Sequence, residues 1–303
     1  MKTALLTSAL AVIAFAALPA QAQEHAAGHA EHADHGHHHA DFASGRFHVR
    51  VDGPEGAPDI ILIPGLASSP EVWDELTESL KGRYRVHRIH VQGFSGAPAM
   101  DNATGPVAAP VAEDIARYIA EKGLNKPAVI GHSMGGTIAM MVAARHPDSV
   151  GRVMVVDMVP FVGGLFGAAD ATAAGPIGEA VYARQTTGPE EAYRAAAAAT
   201  VTGMIATESR RAGPLQDTAN SDRTVSAASM RELISTDLRP EIGRITAPVT
   251  VLYVTQAGAT DAGYQAQYAN LPGVKLVRID DSAHFIMLDQ PARFAAEVNT
   301  FLE

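Results

Sequence analysis

The chain has 303 residues, of which 47% are hydrophobic and 18% are charged, a balance typical of a soluble globular protein with a sizeable core. Its formal net charge is −10 and no cluster of Lys and Arg stands out, which argues against nucleic acid and anionic membrane surfaces as partners. Cysteine is absent, so no disulfide can stabilise the fold.

The first residues have the pattern of an export signal. Lys2 supplies a positive charge, Ala9 to Leu18 is an unbroken apolar run, and Ala20-Gln21-Ala22 offers small residues for cleavage. A membrane anchor would need about 20 apolar residues, and this run is much shorter. We therefore expect residues 1–22 to be a signal peptide, no stable membrane anchor, and a periplasmic or secreted protein cleaved near Ala22.

A His-rich tract follows, over residues 23–41, and holds seven of the 13 histidines of the chain. It has almost no large apolar side chains, so we expect residues 23–45 to form a disordered linker. Neutral imidazoles can bind divalent metals weakly. Two interpretations stay open, a plain spacer and a segment that binds metal.

Residues 46–303 alternate between strand-like and helix-like segments, which predicts one α/β domain. Apolar or alternating runs predict strands over 59–63, 84–91, 128–130, 153–156, 248–254 and 274–279. Helical patterns cover 70–80, 107–119, 137–145 and 291–302. This order predicts a mainly parallel, doubly wound sheet with helices on both faces.

Residues 158–245 interrupt this alternation, because they contain no clear strand. Two stretches, 190–206 and 226–235, have helical patterns. We expect the segment to form a helical cap over the C-terminal ends of the strands. An apolar pocket beneath such a cap could be lined by Phe161, Leu165, Phe166, Met204 and Met230.

Ser133 lies at the corner between a predicted strand and a predicted helix, within Gly131-His132-Ser133-Met134-Gly135-Gly136. Glycines on both sides of the corner let strand and helix pass closely. The sharp turn exposes the serine hydroxyl above the sheet, next to a helix N-terminus that favours anions. The pattern predicts a nucleophile elbow.

A serine nucleophile needs a base, and a base needs an acid. His284 lies in a loop after the last predicted strand and is our candidate base, whereas we expect His132 to be structural. Two carboxylates follow apolar strands, Asp261 after 248–254 and Asp157 after 153–156. Chain order Ser, Asp, His and the lack of another acid in its loop favour Asp261.

The region from Phe47 onward resembles the α/β-hydrolase family, in its serine hydrolases with a Ser-Asp-His triad and a helical cap. Besides the Ser133 motif it carries the segments 62–73, 92–98 and 283–294, each similar to a family loop. The resemblance implies that the backbone N–H groups of Leu66 and Met134 form an oxyanion hole. Two residues depart from the family pattern, Pro64 before Gly65 and His90 ahead of the second loop.

The reaction expected of such a site is hydrolysis of a carboxylic ester through an acyl-enzyme on Ser133, with a small acyl compound as substrate and with no cofactor or metal. The same constellation also serves C–C bond, amide and peroxy-acid chemistry, because a fold does not determine a substrate. A different class of function stays open, a non-catalytic exported protein that buffers metal through its His-rich tract. Oligomeric state is not indicated by the sequence.

Overall fold

The computed structural model describes residues 42–256 and 258–303 of the chain. The predicted signal peptide and the whole His-rich tract lie outside the described residues, so both stay predictions.

The last residues of the predicted linker contact the folded domain. The Phe42 ring stacks on Phe47 and meets Tyr118 edge-on, and the Ser44 hydroxyl donates a 2.6 Å hydrogen bond to Asp114. These contacts extend the folded part of the chain back to Phe42.

A seven-stranded sheet with the order β1-β3-β2-β4-β5-β6-β7 forms the centre of the structure. Only β1 runs antiparallel, paired with β3, and every other neighbouring pair of strands is parallel. The predicted fold class is confirmed. The strands are β1 Phe47–Asp52, β2 Asp59–Ile63, β3 Arg85–Val91, β4 Ala128–His132, β5 Arg152–Val156, β6 Val249–Tyr253 and β7 Lys275–Arg278.

The strand predictions begin at Asp59, so β1 is an addition. Its first residues alternate in burial, with Phe47 and Val49 inside and His48 exposed, as expected of a half-buried edge strand. The run is short, and it forms because β3 offers a free edge for antiparallel pairing.

Helices cover both faces of the sheet, as expected for parallel strands joined by crossover connections. Residues 70–73 form a 3-10 turn ahead of α1, and the turn and α1 together match the predicted helix 70–80. The helices are α1 Asp74–Leu80, α2 Ala108–Glu121, α3 Met134–Arg145, α4 Ala171–Thr187, α5 Glu190–Gly203, α6 Ala212–Asn220, α7 Arg223–Ser235, α8 Asp261–Gln267, α9 Ile286–Asp289 and α10 Pro291–Leu302.

The central strands are apolar on both faces and so belong to two separate cores. Along β4, Val129 packs into one core with α2 and α3, whereas Ile130 packs into the other. Trp73 and Phe294 stack in that second core, with ring centroids 6.0 Å apart. Burial from both sides is why these strands show continuous apolar runs in the sequence.

Four helices, α4 to α7, lie between β5 and β6 and are called the helical insertion below. Sequence patterns predict only two of them, and the predicted stretches 190–206 and 226–235 correspond to α5 and α7. α4 contains Pro176 together with Gly175 and Gly178, and it lacks a clear apolar stripe. α6 has Gly213 and Pro214 in its first turn. Such helices form through tertiary packing rather than through local propensity.

Two carboxylates fasten the helical insertion to loops of the sheet domain. Asp217 of α6 accepts hydrogen bonds from the backbone N–H and hydroxyl of Ser69, at 2.9 and 2.7 Å, and from the Ser95 hydroxyl at 2.7 Å. Glu232 of α7 accepts three backbone N–H groups at the start of α2. The insertion is thereby held against the loops that follow β2 and β3. None of the helices in the described part of the chain combines the length and apolar character needed to cross a membrane.

Candidate active site

Ser133 occupies the abrupt turn between β4 and α3. Its backbone has φ 53° and ψ −121°, a region that residues other than glycine rarely adopt. Its N–H donates a 2.9 Å hydrogen bond to Val156 O at the end of the neighbouring strand β5. The strained conformation predicted for the elbow is present at this residue.

Glycines make the turn sterically possible. A Cβ atom at Gly131 would lie 2.1 Å from Gly135 O, and one at Gly135 would lie 2.2 Å from Ile63 O. Both distances are far below any tolerated contact, so strand and helix can approach only because these side chains are absent. The same closeness brings the loop after β2 next to the serine, since a Cβ atom at Gly65 would lie 3.2 Å from Ser133 Cβ.

His284, in the loop between β7 and α9, has Asp157 as its carboxylate partner. The distance from His284 Nδ1 to Asp157 Oδ2 is 2.6 Å. Asp157 directly follows β5 and has a positive φ of 49°, which turns its side chain out of the strand direction. The carboxylate is buried, with 8% of its side chain exposed, whereas 21% of the imidazole is exposed.

Asp261, the acid favoured by the sequence, makes no contact with His284, and that expectation is corrected. One of its oxygens accepts the Tyr253 hydroxyl at 2.9 Å and the other faces Arg278 at 3.1 Å. Asp261 begins α8, where Thr260 is the N-cap. Both partners are the last residues of their strands, β6 and the edge strand β7, so the carboxylate is held there rather than at His284.

α8 contributes to the site through a different residue. The Tyr264 hydroxyl donates a 2.9 Å hydrogen bond to Asp157 Oδ1, and the Val254 N–H donates to the same oxygen at 3.0 Å. Together with His284, these donors fix both oxygens of the carboxylate. Burial, and secondly the charge of Asp157, raise the pKa of Tyr264 far above its usual range, so the phenol stays a donor. Sequence reasoning missed Tyr264, because no local pattern links it to Asp157.

His132 packs against His284 and is completely buried. Its Nε2 is 3.0 Å from His284 O, and the two imidazole centroids are 4.7 Å apart. Burial, and secondly the nearby His284, hold the pKa of His132 well below its usual value. A neutral His132 supporting the loop of His284 agrees with the structural role expected for it.

Leu66 and Met134 occupy the two positions implied for an oxyanion hole. Leu66 follows Gly65 in the loop beside Ser133, and Met134 is the first residue of α3. The two departures from the family pattern are accommodated by packing, since Pro64 is buried against α3 and the His90 ring contacts Phe94 O at 3.0 Å.

A cavity of about 120 Å³ adjoins Ser133 and His284. Of the five residues expected to line it, Met204 and Met230 do so. Phe161 is instead fully buried in the core, beneath the Arg239 guanidinium. The Leu165 side chain is about half exposed, and Phe166 packs on the core. The helical insertion therefore faces the cavity mainly with α5 and α7.

No group of His, Asp and Glu side chains in the ranges 42–256 and 258–303 is arranged to hold a metal ion. The His-rich tract, the segment for which metal binding was considered, lies outside these ranges.

Known proteins with related sequences and structures cover most of this chain. The pimeloyl-(acyl-carrier protein) methyl ester esterase of Aromatoleum aromaticum is 26% identical over 250 residues, which span 77% of this chain and 94% of that protein. The enol-lactonase from Burkholderia xenovorans superimposes with a TM-score of 0.69 at 23% identity, over 84% of this chain and 96% of that one. An esterase from Exiguobacterium antarcticum gives a TM-score of 0.71 at 16% identity, over 84% and 95% of the two chains.

These structural similarities concern the fold, whereas a match to a family model concerns the sequence itself. The model described as the alpha/beta hydrolase family matches residues 60–297, which include the elbow, both carboxylates considered above and the loop of His284. The chain is a hydrolase that belongs to the alpha/beta hydrolase family.

Proposed function

We propose that this protein hydrolyses carboxylic esters through an acyl-enzyme on Ser133, with His284 as base and Asp157 as the acid that orients it. The observation that carries the proposal is the 2.6 Å contact between His284 Nδ1 and Asp157 Oδ2 at the border of the cavity that Ser133 lines. Asp157 replaces Asp261 in the triad expected from the sequence.

The protonation of His284 follows from its partner. A carboxylate only accepts hydrogen bonds, so Nδ1 carries the proton that lies between His284 and Asp157. In the neutral imidazole the other ring nitrogen, Nε2, then has the lone pair that takes the proton of the Ser133 hydroxyl. The bonds from Tyr264 and Val254 hold the carboxylate in place while the imidazole becomes charged.

The reaction proceeds in two steps, acylation of Ser133 and hydrolysis of the acyl-enzyme. Ser133 Oγ attacks the ester carbonyl as its proton passes to His284, and the same proton then leaves with the departing alcohol. Water next attacks the acyl-enzyme, giving one proton to His284, which returns it to Ser133 as the acid departs. The backbone N–H groups of Leu66 and Met134 stabilise the oxyanion in both steps.

Two further observations support ester hydrolysis. The relatives from Aromatoleum aromaticum and Exiguobacterium antarcticum are named as esterases, and a lactone, the substrate named for the Burkholderia enzyme, is a cyclic ester. The cavity is small compared with the roughly 300–1,000 Å³ of drug-sized ligand sites. It suits a single unbranched acyl chain rather than a bulky acyl group, and the helical insertion acts as the cap that encloses it.

A panel of p-nitrophenyl esters of graded acyl length, with matched anilides, β-diketones and peroxy acids, tests this function. The esters should be turned over fastest, and Ser133→Ala should abolish turnover. Ser79→Ala is the control, since the Ser79 hydroxyl only bonds Leu76 O on the surface of α1. Faster turnover of an anilide, a diketone or a peroxy acid would assign the site to one of those reactions instead.

The cellular location is proposed from the sequence alone. We propose export followed by cleavage near Ala22, after which the His-rich tract forms the start of the mature chain. N-terminal sequencing of the protein purified from the periplasm or medium should begin at Gln23. Recovery of the intact chain from the cytoplasm would contradict export.

A further inference from the structure

The cavity beside Ser133 has two ends that differ in chemistry. At the near end, Met204 O accepts the Phe285 N–H at 3.2 Å, which places the end of α5 directly beside His284. α5 runs from there back to Tyr193, which also lines the cavity. At 1.5 Å per residue these eleven positions correspond to about 16 Å along the helix. Tyr193 thus marks the end of the cavity that lies farther along α5 from the loop of His284.

Polar side chains gather at this far end. Gln185 of α4, Tyr193 of α5 and Ser226 of α7 all line the cavity. Arg223 ties the three helices together, because its guanidinium bonds Gln185 O and lies 4.9 Å from the centre of the Tyr193 ring. The cluster of Gln185, Tyr193 and Ser226 is called the polar end below.

Two atoms of the polar end are buried without a partner. Ser226 is 4% exposed, and neither its Oγ nor Gln185 Oε1 has a hydrogen-bond partner among the described residues. The Ser226 hydroxyl lies near the Tyr193 phenol, although the geometry of a full hydrogen bond is not reached. Burial raises the pKa of Tyr193, and the nearby Ser226 hydroxyl offsets part of this rise. Buried polar groups are nearly always bonded, so a pair that faces a cavity points to a ligand group.

The identity of the unpaired atoms limits that group. Gln185 Oε1 can only accept, so the ligand must donate a proton to it, whereas the Ser226 hydroxyl can both donate and accept. A hydroxyl or an amide meets both demands, while a methyl group meets neither and a carboxylate cannot donate. The Arg223 guanidinium is not available to bind an anionic ligand group, because it already bonds Gly188 O and Glu190.

We propose that the polar end binds an uncharged hydrogen-bonding group, a hydroxyl or an amide, at the far end of the substrate's acyl chain. This assignment rests on the proposed ester hydrolysis and names its substrate class, esters of acids with a polar, uncharged terminus. Three apolar residues of the cavity lining contact the chain, Met204 at the near end together with Met230 and Leu233. A terminal methyl group would leave Gln185 and Ser226 unpaired and is selected against for that reason.

The test compares p-nitrophenyl hexanoate, octanoate and decanoate with their ω-hydroxy and ω-carboxylate counterparts. For at least one chain length, kcat/KM for the ω-hydroxy ester should exceed that for the methyl-terminated ester about tenfold or more, and the ω-carboxylate ester should be the poorest. Ser226→Ala should reduce this ratio about tenfold, and Gln185→Leu, on another helix, should do the same. Melting temperatures show whether each variant folds.

Ser229→Ala is the matched control on α7, because Ser229 is buried but bonds Val225 O and does not line the cavity. It should leave the ratio unchanged. A ratio near one at every chain length, or a preference for the carboxylate, would overturn the assignment even if p-nitrophenyl acetate is hydrolysed. If p-nitrophenyl acetate is not hydrolysed, the proposed function fails. The assignment of the polar end is then tested by calorimetry of the Ser133→Ala protein with methyl octanoate and methyl 8-hydroxyoctanoate. Equal binding of the two esters would overturn the assignment.

Discussion

His284 Nδ1 lies 2.6 Å from Asp157 Oδ2, although 127 positions separate the two residues along the chain. The parallel sheet explains the contact, because β5 and β7 end at the same edge and only β6 lies between them. Asp157 reaches across this gap from the turn after β5, while Tyr264 of α8, the helix that follows β6, donates a hydrogen bond to it. Asp157 and Tyr264 therefore belong to segments that follow different strands.

The first prediction separates the two carboxylates. Asp157→Asn should reduce kcat for an ester by about 10³- to 10⁴-fold, as loss of the orienting acid does in serine triads, because the amide no longer fixes the imidazole tautomer. Asp261→Asn should cost less than about tenfold, since Asp261 contacts only Tyr253 and Arg278 in the described structure. Steady-state kinetics of both variants on one ester decide the matter, and the reverse order of losses would restore Asp261.

The second prediction concerns the support of the acid. Tyr264→Phe removes one of the two hydrogen bonds to Asp157 Oδ1 and should reduce kcat about tenfold, with a loss of about 1–2 kcal/mol in the free energy of unfolding. Tyr253→Phe is the control, because the Tyr253 ring packs 4.2 Å from that of Tyr264 but its hydroxyl bonds Asp261. Equal kinetic losses in the two variants would mean that ring packing alone is being measured.

The third prediction is a pH dependence of stability. Burial is the largest cause that lowers the pKa values of His132, His87 and His90 below the usual 6.5. Below about pH 6.5 the unfolded chain therefore binds protons that the folded chain does not, so acidification favours unfolding. The free energy of unfolding should fall as the pH drops from about 7 to 5, by up to about 1.4 kcal/mol per pH unit for each histidine. Urea unfolding across this range measures it, and stability that is constant or rises on acidification would contradict the buried neutral histidines.

The fourth prediction concerns the turn at the serine. Gly135→Ala places a Cβ 2.2 Å from Ile63 O, so it should destabilise the fold by several kcal/mol or prevent soluble expression. Gly82→Ala is the control, because exposed Gly82 lies in the turn after α1 without a positive φ, and a Cβ there meets nothing within 4 Å. That change should be neutral or stabilising by up to about 1 kcal/mol. Equal melting temperatures for Gly135→Ala and the unmodified protein would show that the close approach of strand and helix is not required.

The central strands could be predicted from the sequence because they are apolar on both faces and carry strong local signals, as the run from Ala128 to Ile130 shows. The elbow could be predicted for a similar reason, since strand, serine and glycines are contiguous. α4 and α6 could not, because Pro176 and Pro214 lie in helices that only packing stabilises.

The acid was the part of the site that the sequence could not resolve. Chain order Ser, Asp, His is satisfied by Asp157 as well as by Asp261, so order alone does not choose between them. The choice depends on the positive φ of Asp157 and on where α8 begins, and both are set by tertiary packing. Phe161 and Phe166 do not line the cavity for the same reason, because an apolar residue in a helical segment can serve the core as easily as a cavity.

The central claim, that Ser133 is the nucleophile, is tested most directly by intact-mass spectrometry after treatment with a serine-reactive fluorophosphonate. The unmodified protein should gain the mass of one probe, peptide mapping should place it on Ser133, and hydrolysis of p-nitrophenyl acetate should be lost in parallel. Ser133→Ala should gain no mass and lose turnover by up to about a millionfold, as expected when a triad acts as a unit. Labelling of the Ser133→Ala protein at another serine, or ester hydrolysis by that variant at the unmodified rate, would contradict the claim.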